Sequence, residues 1–404
     1  MGRALALQSE LRRPRAQRRL PFAAKGFRPF FALAALYAVL IVPLWLAIVA
    51  SAAAPRGYFD PLSWHAHEML FGYAVAVIAG FLLTAVGNWT GRETLVGAPL
   101  LALAALWVLG RVAMVFAPRL PSGAAAAVDL AFLPVLIAAL GVPLLATKNR
   151  RNLVLLALLA LLFLMNLGMH LDGLGKLPAG FAHRPRAAAL DLVVLVILLI
   201  AGRVFPMFTR NATGNHAIRS HASLDAATVI AMLAVVALDL LAADWRVASS
   251  LAGIVGLLAA ARATHWGAWQ SRREPLLWVL HAGYAWIVVG LVLRALSVAT
   301  PALPASLATH AITIGGVGTL TLGMMARVSL GHSGRPLVAP RAIRWAFAAT
   351  LCAALARVVL PLVAPAHYML SLMTAGALWV FAFAAFLVVF VPMLASPRLD
   401  GKPG

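Results

Sequence analysis

The sequence is poor in the residues that soluble proteins use most. Only 12 of its 404 residues are Asp or Glu, and all charged residues together make up 11%. There is one cysteine, Cys352, set in an apolar run. A single thiol excludes an internal disulfide, a cysteine-rich zinc or iron–sulfur site, and haem attached through Cys-x-x-Cys-His. The chain has no phosphate-binding Gly-x4-Gly-Lys loop, no Gly-x-Gly-x-x-Gly fingerprint and no His-Glu-x-x-His helix. Carboxylates inside apolar runs are limited to Glu68, Asp129, Asp191, Asp225 and Asp239, mostly near the ends of their runs. That is little provision for ion-coupled transport, which needs a carboxylate or ion site deep in the membrane. Residues 1–26 are rich in arginine without an apolar centre, which is not the build of a secretory signal peptide.

What remains is apolar. Hydrophobic residues make up 63% of the chain and the mean hydropathy is +0.93, the composition of a polytopic membrane protein. The net charge of +21 does not point to nucleic acid, because the basic residues lie between apolar runs, where they set orientation and meet lipid headgroups. Twelve runs have the length of a membrane helix: 29–53, 64–87, 95–117, 123–147, 151–171, 187–209, 221–241, 245–268, 275–299, 304–330, 341–364 and 367–394. The expected fold is an all-α bundle of about twelve transmembrane helices. A basic tail (1–26) precedes one membrane domain (27–396), and a short tail (397–404) follows it. An even number of spans puts both termini on one side. Assigning that side to the cytoplasm leaves 24 of the 33 basic residues inside and 9 outside, as the positive-inside rule requires.

That topology sorts the histidines by depth. His65 and His67 fall at the outer end of the second span, His310 a little deeper on the tenth, and His170 at the outer end of the fifth. His281 is deep in the ninth span, and His332 is at the inner end of the tenth. Two stretches also match at equal spacing. His67, Gly72, Gly80, Gly91 and Arg92 correspond to His310, Gly315, Gly323, Gly334 and Arg335. All five matches are residue types with physical reasons to be fixed.

Polar rings in hydrocarbon are costly unless they bind something. Two neutral imidazoles across a bundle suit haem ligation, so His67 and His310 are the leading haem candidates. Several imidazoles without a thiolate suit copper, with His65 and His170 as leading candidates. His65 and His67 are two apart, so on a regular helix both cannot point at one ligand. Either they serve different partners or Trp64-His65 precedes the helix. His281 needs a partner at its depth, and His332 is an open metal candidate. Arg203 and Arg327 are candidates for holding acidic substituents of a cofactor, or lipid phosphates. Glu68 is placed to orient an imidazole. For each histidine the plainer alternative is a hydrogen bond to a carbonyl or a ring reaching the headgroups.

The chain resembles the NnrS family. The resemblance rests on Phe22-Ala23-Ala24-Lys25-Gly26-Phe27-Arg28-Pro29-Phe30-Phe31, Trp64-His65-Ala66-His67-Glu68-Met69, Gly202-Arg203-Val204-Phe205-Pro206-Met207-Phe208-Thr209, the His281 segment, and Arg327-Val328-Ser329-Leu330-Gly331-His332-Ser333-Gly334-Arg335. One departure is Ser333, where the family pattern has threonine. The resemblance implies a twelve-span bacterial inner-membrane protein carrying haem b and copper, linked to denitrification and to tolerance of nitric oxide. It does not say which histidine serves which metal. The expected partners are the lipid bilayer and nitric oxide or a related small molecule, not nucleic acid. Redox conversion, simple binding of the gas, and a non-redox transporter or sensor all stay open. At the level of fold, histidines on the second and tenth of twelve spans are similar to subunit I of haem–copper oxidases and leave room for three four-helix repeats. No counterpart of that family's copper-binding histidines on its sixth and seventh spans is evident.

Overall fold

Long apolar runs bounded by proline, glycine and charged residues have one way to satisfy their backbone polar groups in hydrocarbon, which is helix. The computed structural model describes residues 20–51, 59–121, 123–178, 181, 183–241, 244–300 and 302–402. It contains twelve helices with the length and apolarity to cross a membrane. They are α1 (Phe27–Ser51), α2 (Pro61–Thr90), α3 (Ala98–Val115), α4 (Ala124–Ala146), α5 (Arg150–Gly173), α6 (His183–Thr213), α7 (Ala222–Leu240), α8 (Trp245–Trp266), α9 (Pro275–Ala299), α10 (Ala305–His332), α11 (Arg341–Val363) and α12 (Pro365–Leu394). The protein is therefore an all-helical polytopic membrane protein, with boundaries a few residues from those read in the sequence. The basic tail before Leu20 lies outside the described residues.

The helices are not equally buried. The most apolar windows of α2, α6 and α10 are 83%, 72% and 72% buried, against 50% or less for every other span. These three helices are four apart in sequence. The others pack around them in chain order, with α12 returning to α1. Where α2, α6, α9 and α10 approach one another they form an open apolar cavity of about 90 Å³, lined by Val77, Phe81, Ile200, Phe205, Leu320 and Met324 among others.

The matched stretches of α2 and α10 have matching local structure. Directly after His67 the backbone widens into π-helix from Glu68–Ala74, and directly after His310 it does so from Ala311–Gly318. Such segments are rare and cluster at functional sites. Gly72 and Gly315 lie inside them. A Cβ on Gly72 would stand 2.6 Å from Tyr37, and one on Gly315 would stand 2.5 Å from Trp286. Gly91 and Gly334 have φ of +64° and +72° at the helix ends, the left-handed conformation that stops a helix without penalty in glycine.

All five carboxylates flagged within apolar runs are paired with arginine. Arg294 on α9 bridges Asp191 on α6 and Asp239 on α7, each at 2.8 Å. Arg262 on α8 holds Asp225 at 3.1 Å and also donates to Tyr284 Oη and the Leu198 carbonyl. Arg111 on α3 serves Glu68 and Asp129. These pairs tie neighbouring helices together in a medium where an unpaired charge costs several kcal/mol or more.

Candidate functional site

The second span starts with a defined cap. Asp60 precedes Pro61, and its carboxylate accepts from the Leu62 and Ser63 amides at 3.0 Å. Proline at the first helical position costs no hydrogen bond, and the aspartate satisfies two free amides. Partial burial works against the Asp60 charge. The hydrogen bonds from Ser63 and Leu62, with Arg186 nearby, outweigh it and hold the carboxyl below its usual range. The helix is thus formed before Trp64, and His65 lies within it. His65 and His67 then point apart, as their spacing requires.

His67 enters a dense polar cluster and is fully buried. Its Nδ1 lies 2.7 Å from Glu68 Oε1, and its Nε2 lies 2.8 Å from Asn166 Oδ1 and 3.3 Å from Asp129 Oδ2. From α5, Asn166 Nδ2 donates to the same Asp129 oxygen at 2.7 Å, and His170 Nε2 lies 2.9 Å from it. The rings of His67 and His170 meet edge to face with centroids 5.1 Å apart. Around them Arg111 donates to both Glu68 oxygens at 2.9 Å and contacts Asp129 Oδ1. Tyr37 donates to Glu68 Oε2. Phe59 and Phe71 wall off the imidazoles. A cavity of about 10 Å³, roughly one water in size, adjoins Arg111, Asp129 and Asn166.

His67, Asp129 and His170 are all buried, and their ligand atoms lie within 4.8 Å of one another. Donors held about 2.1 Å from one ion in a tetrahedron sit roughly 3.4 Å apart. The observed 2.9 and 3.3 Å spacings are close to that. Glu68 at Nδ1 supplies the carboxylate that fixes the tautomer of a metal-binding imidazole. This group can hold a metal ion.

The charges make the same point. With neutral imidazoles, Glu68, Asp129 and Arg111 sum to one negative charge, all nearly out of solvent. Both ring nitrogens of His67 also face acceptors. A neutral ring has only one N–H, so one contact is unmatched. A proton or a cation at Nε2 resolves both the charge and the mismatch.

His65 lies elsewhere. Its ring stacks on Trp45 of α1, with centroids 4.4 Å apart and planes 13° from parallel. It is close enough to interact electrostatically with His310 and with Arg357 of α11. His310 Nδ1 donates to the Ser306 carbonyl at 2.6 Å, which leaves its Nε2 with a lone pair. His65 Nδ1 is buried without a hydrogen-bond partner. The structure therefore forms two groups, His67 with His170 and His65 with His310.

The remaining candidates stand apart from both. His281 bonds Thr209 Oγ1 at 3.1 Å and packs on Phe205. Arg203 bonds Asn152 at 2.9 Å, and Arg327 lies 4.1 Å above the Phe208 ring. Arg327 follows His310 by seventeen positions on one helix, roughly 25 Å at 1.5 Å per residue, so a group ligated by His310 does not reach it. His332 packs against Phe27, and its carbonyl accepts from Arg398, so the Gly-His-Ser-Gly-Arg segment anchors the C-terminal turn. Sequence reasoning gave Asp129, Arg111 and Arg357 no site role. The available signal was a charged residue inside an apolar run, as in Val108-Leu109-Gly110-Arg111-Val112.

The NnrS protein family model matches residues 21–398, nearly the whole chain. The chain belongs to the NnrS family. No curated protein matches it significantly.

Proposed function

We propose that this NnrS-family chain is a bacterial inner-membrane protein that holds copper and haem b and acts on nitric oxide or a related small molecule, with both termini in the cytoplasm. The observation that carries the reading is the buried convergence of His67, His170 and Asp129, backed by Glu68 and Arg111. Two imidazoles and a carboxylate suit a borderline transition metal. Imidazole also suits copper, and the single negative charge left on the cluster favours the monovalent state, copper(I). A mononuclear Fe(II) ion at the same three residues is a second reading, because two histidines and one carboxylate also form that type of site.

Haem b fits the other pair. His310 presents a lone pair at Nε2 while its Nδ1–H is fixed on a backbone carbonyl, the pattern of a ligating imidazole. The unmatched Nδ1 of His65 is a second donor atom. When bound, haem supplies one-electron chemistry and an iron that takes up diatomic gases. The protein's part is to hold and orient the two rings, with Trp45 stacked on His65, and to keep water away. Nitric oxide is small, neutral and enriched in lipid. The apolar cavity between α2, α6, α9 and α10 offers it room within the bundle. Pairing of every flagged carboxylate with an arginine weighs against ion-driven transport.

Optical spectra of the purified protein, before and after anaerobic nitric oxide, test the assignment. The haem band should shift with the gas and vanish in His65→Ala/His310→Ala. It should survive in His67→Ala/His170→Ala, which loses copper instead. Loss of the haem band in the second variant but not the first would reverse the assignment.

A further inference from the structure

Arg357 differs from Arg111 and Arg262, the buried arginines that hold a carboxylate, and from Arg28, which donates to the Leu394 and Ser396 carbonyls. Arg357 is 3% exposed, yet among the described residues no ion pair reaches it. Its Nη2 donates to Tyr368 Oη at 2.9 Å, and its guanidinium carbon lies 5.1 Å from that ring. Its Nε and Nη1 are buried with no hydrogen-bond partner. Arg111, Arg262 and Arg294 each have a carboxylate. A guanidinium buried in a membrane helix with two unused donors is a costly arrangement unless an anion completes it.

Its surroundings identify the anion. Arg357 adjoins Val358, which packs with Leu307 and Ala311, the residues that flank His310 on α10. Its charge acts on His310 and on His65, and each of those imidazoles has an unused ring nitrogen. The unmatched atoms at this place are therefore two metal-binding nitrogens and a fork of N–H donors. The ligand that complements all of them carries a metal and a carboxylate. We propose that Arg357 is the residue that anchors a carboxylate substituent of the porphyrin held by His65 and His310, through its Nε and Nη1. This rests on the reading of His65 and His310 as the haem-ligating pair. Arg357 is a positioning residue: it fixes how the ring is seated. Arg203 and Arg327, which the sequence suggested for this task, contact Asn152 and Phe208, and neither is among the charges acting on His65 or His310.

The test uses full-length protein from a haem-deficient host, titrated with haem b and with haem b dimethyl ester, whose carboxylates are masked. Charge-assisted hydrogen bonds of this type are worth about tenfold or more in affinity. The wild-type protein should prefer the free acid by that factor. Arg357→Gln should bring the preference close to unity, mainly by weakening the free acid, and Arg357→Lys should keep part of it. Equal binding of both porphyrins by the wild type, or an unchanged preference in Arg357→Gln, overturns the proposal. If Arg357→Gln does not fold, a reduced preference in Arg357→Lys supports the proposal and full retention overturns it. His65→Ala/His310→Ala should bind neither porphyrin. Unchanged binding there overturns the histidine assignment, whereas its loss together with a preference independent of Arg357 overturns only the role of the arginine. Failure of the wild type to bind either porphyrin overturns both.

Discussion

His67 and Glu68 are neighbours in sequence, and their side chains are hydrogen-bonded to each other, Nδ1 to Oε1, at 2.7 Å. Adjacent side chains on a regular α-helix diverge by about 100°. Here the π-helical segment begins at Glu68, and Arg111 and Tyr37 pull on the carboxylate from the far side. The result fixes which ring nitrogen faces the cluster. Nε2 is turned to Asp129, and the imidazole acts there as a donor to a cation or through a second proton.

Glu68→Gln keeps the size of the side chain but removes its charge. Outer carboxylates behind metal-binding imidazoles are worth about 10- to 100-fold in affinity. The expected outcome is a loss of that size in a copper competition titration, with the metal still bound at high concentration. An unchanged affinity would show that Glu68 only ties α2 to α3.

Arg111→Met removes the one cation shared by Glu68 and Asp129. Breaking a buried pair from one side costs about 3–5 kcal/mol. The variant should unfold at clearly lower temperature in detergent. Adding Asp129→Asn should recover part of the loss, because one uncompensated charge is then gone. A double variant less stable than Arg111→Met would contradict this account.

Asp60 gives a pH dependence. Its folded pKa is depressed, so its contribution is present above the unfolded value of about 3.9 and is lost as pH falls through the folded value. Asp60→Ala should cost about 1 kcal/mol at neutral pH, and Asp60→Asn less. The gap between wild type and Asp60→Ala should close on acidification below about pH 4. A gap constant with pH would show that the cap is not what stabilises the start of α2.

Gly72→Ala would place a methyl carbon 2.6 Å from Tyr37 and 3.2 Å from Arg111 Nη1. Overpacking costs about 1–3 kcal/mol. Because the displaced groups hold Glu68, copper affinity should fall together with stability. Gly91→Ala meets no neighbour within 4 Å and is strained only through its φ. It should lower stability without affecting the metal.

Much of the fold was legible because a run of about twenty apolar residues is a strong signal, and nothing in the chain competes with it. The α2/α10 match was legible because each matched glycine has a physical cause repeated in both helices: close neighbours at Gly72 and Gly315, and a positive φ at Gly91 and Gly334. The grouping of the histidines was not. Equivalence of His67 and His310 suggested one shared site, but equivalent positions on different helices need not meet. His67 finds its partners on α4 and α5, and His310 finds its neighbours on α2 and α11. Asp129, Arg111 and Arg357 look like ordinary near-end charges in a one-dimensional reading. Their roles depend on contacts 41–43 residues away in the first two cases, and on an absent counterion in the third.

The central claim is that His67, His170 and Asp129 hold one metal ion. Asp129 tests it most directly, since it contributes the shared oxygen and no metal role was assigned to it from sequence. Metal content by mass spectrometry should show stoichiometric copper in the wild type and in His281→Ala and His332→Ala. Copper should be lost in His170→Ala and Asp129→Asn of unchanged elution volume. Full copper retention in folded Asp129→Asn would contradict the account.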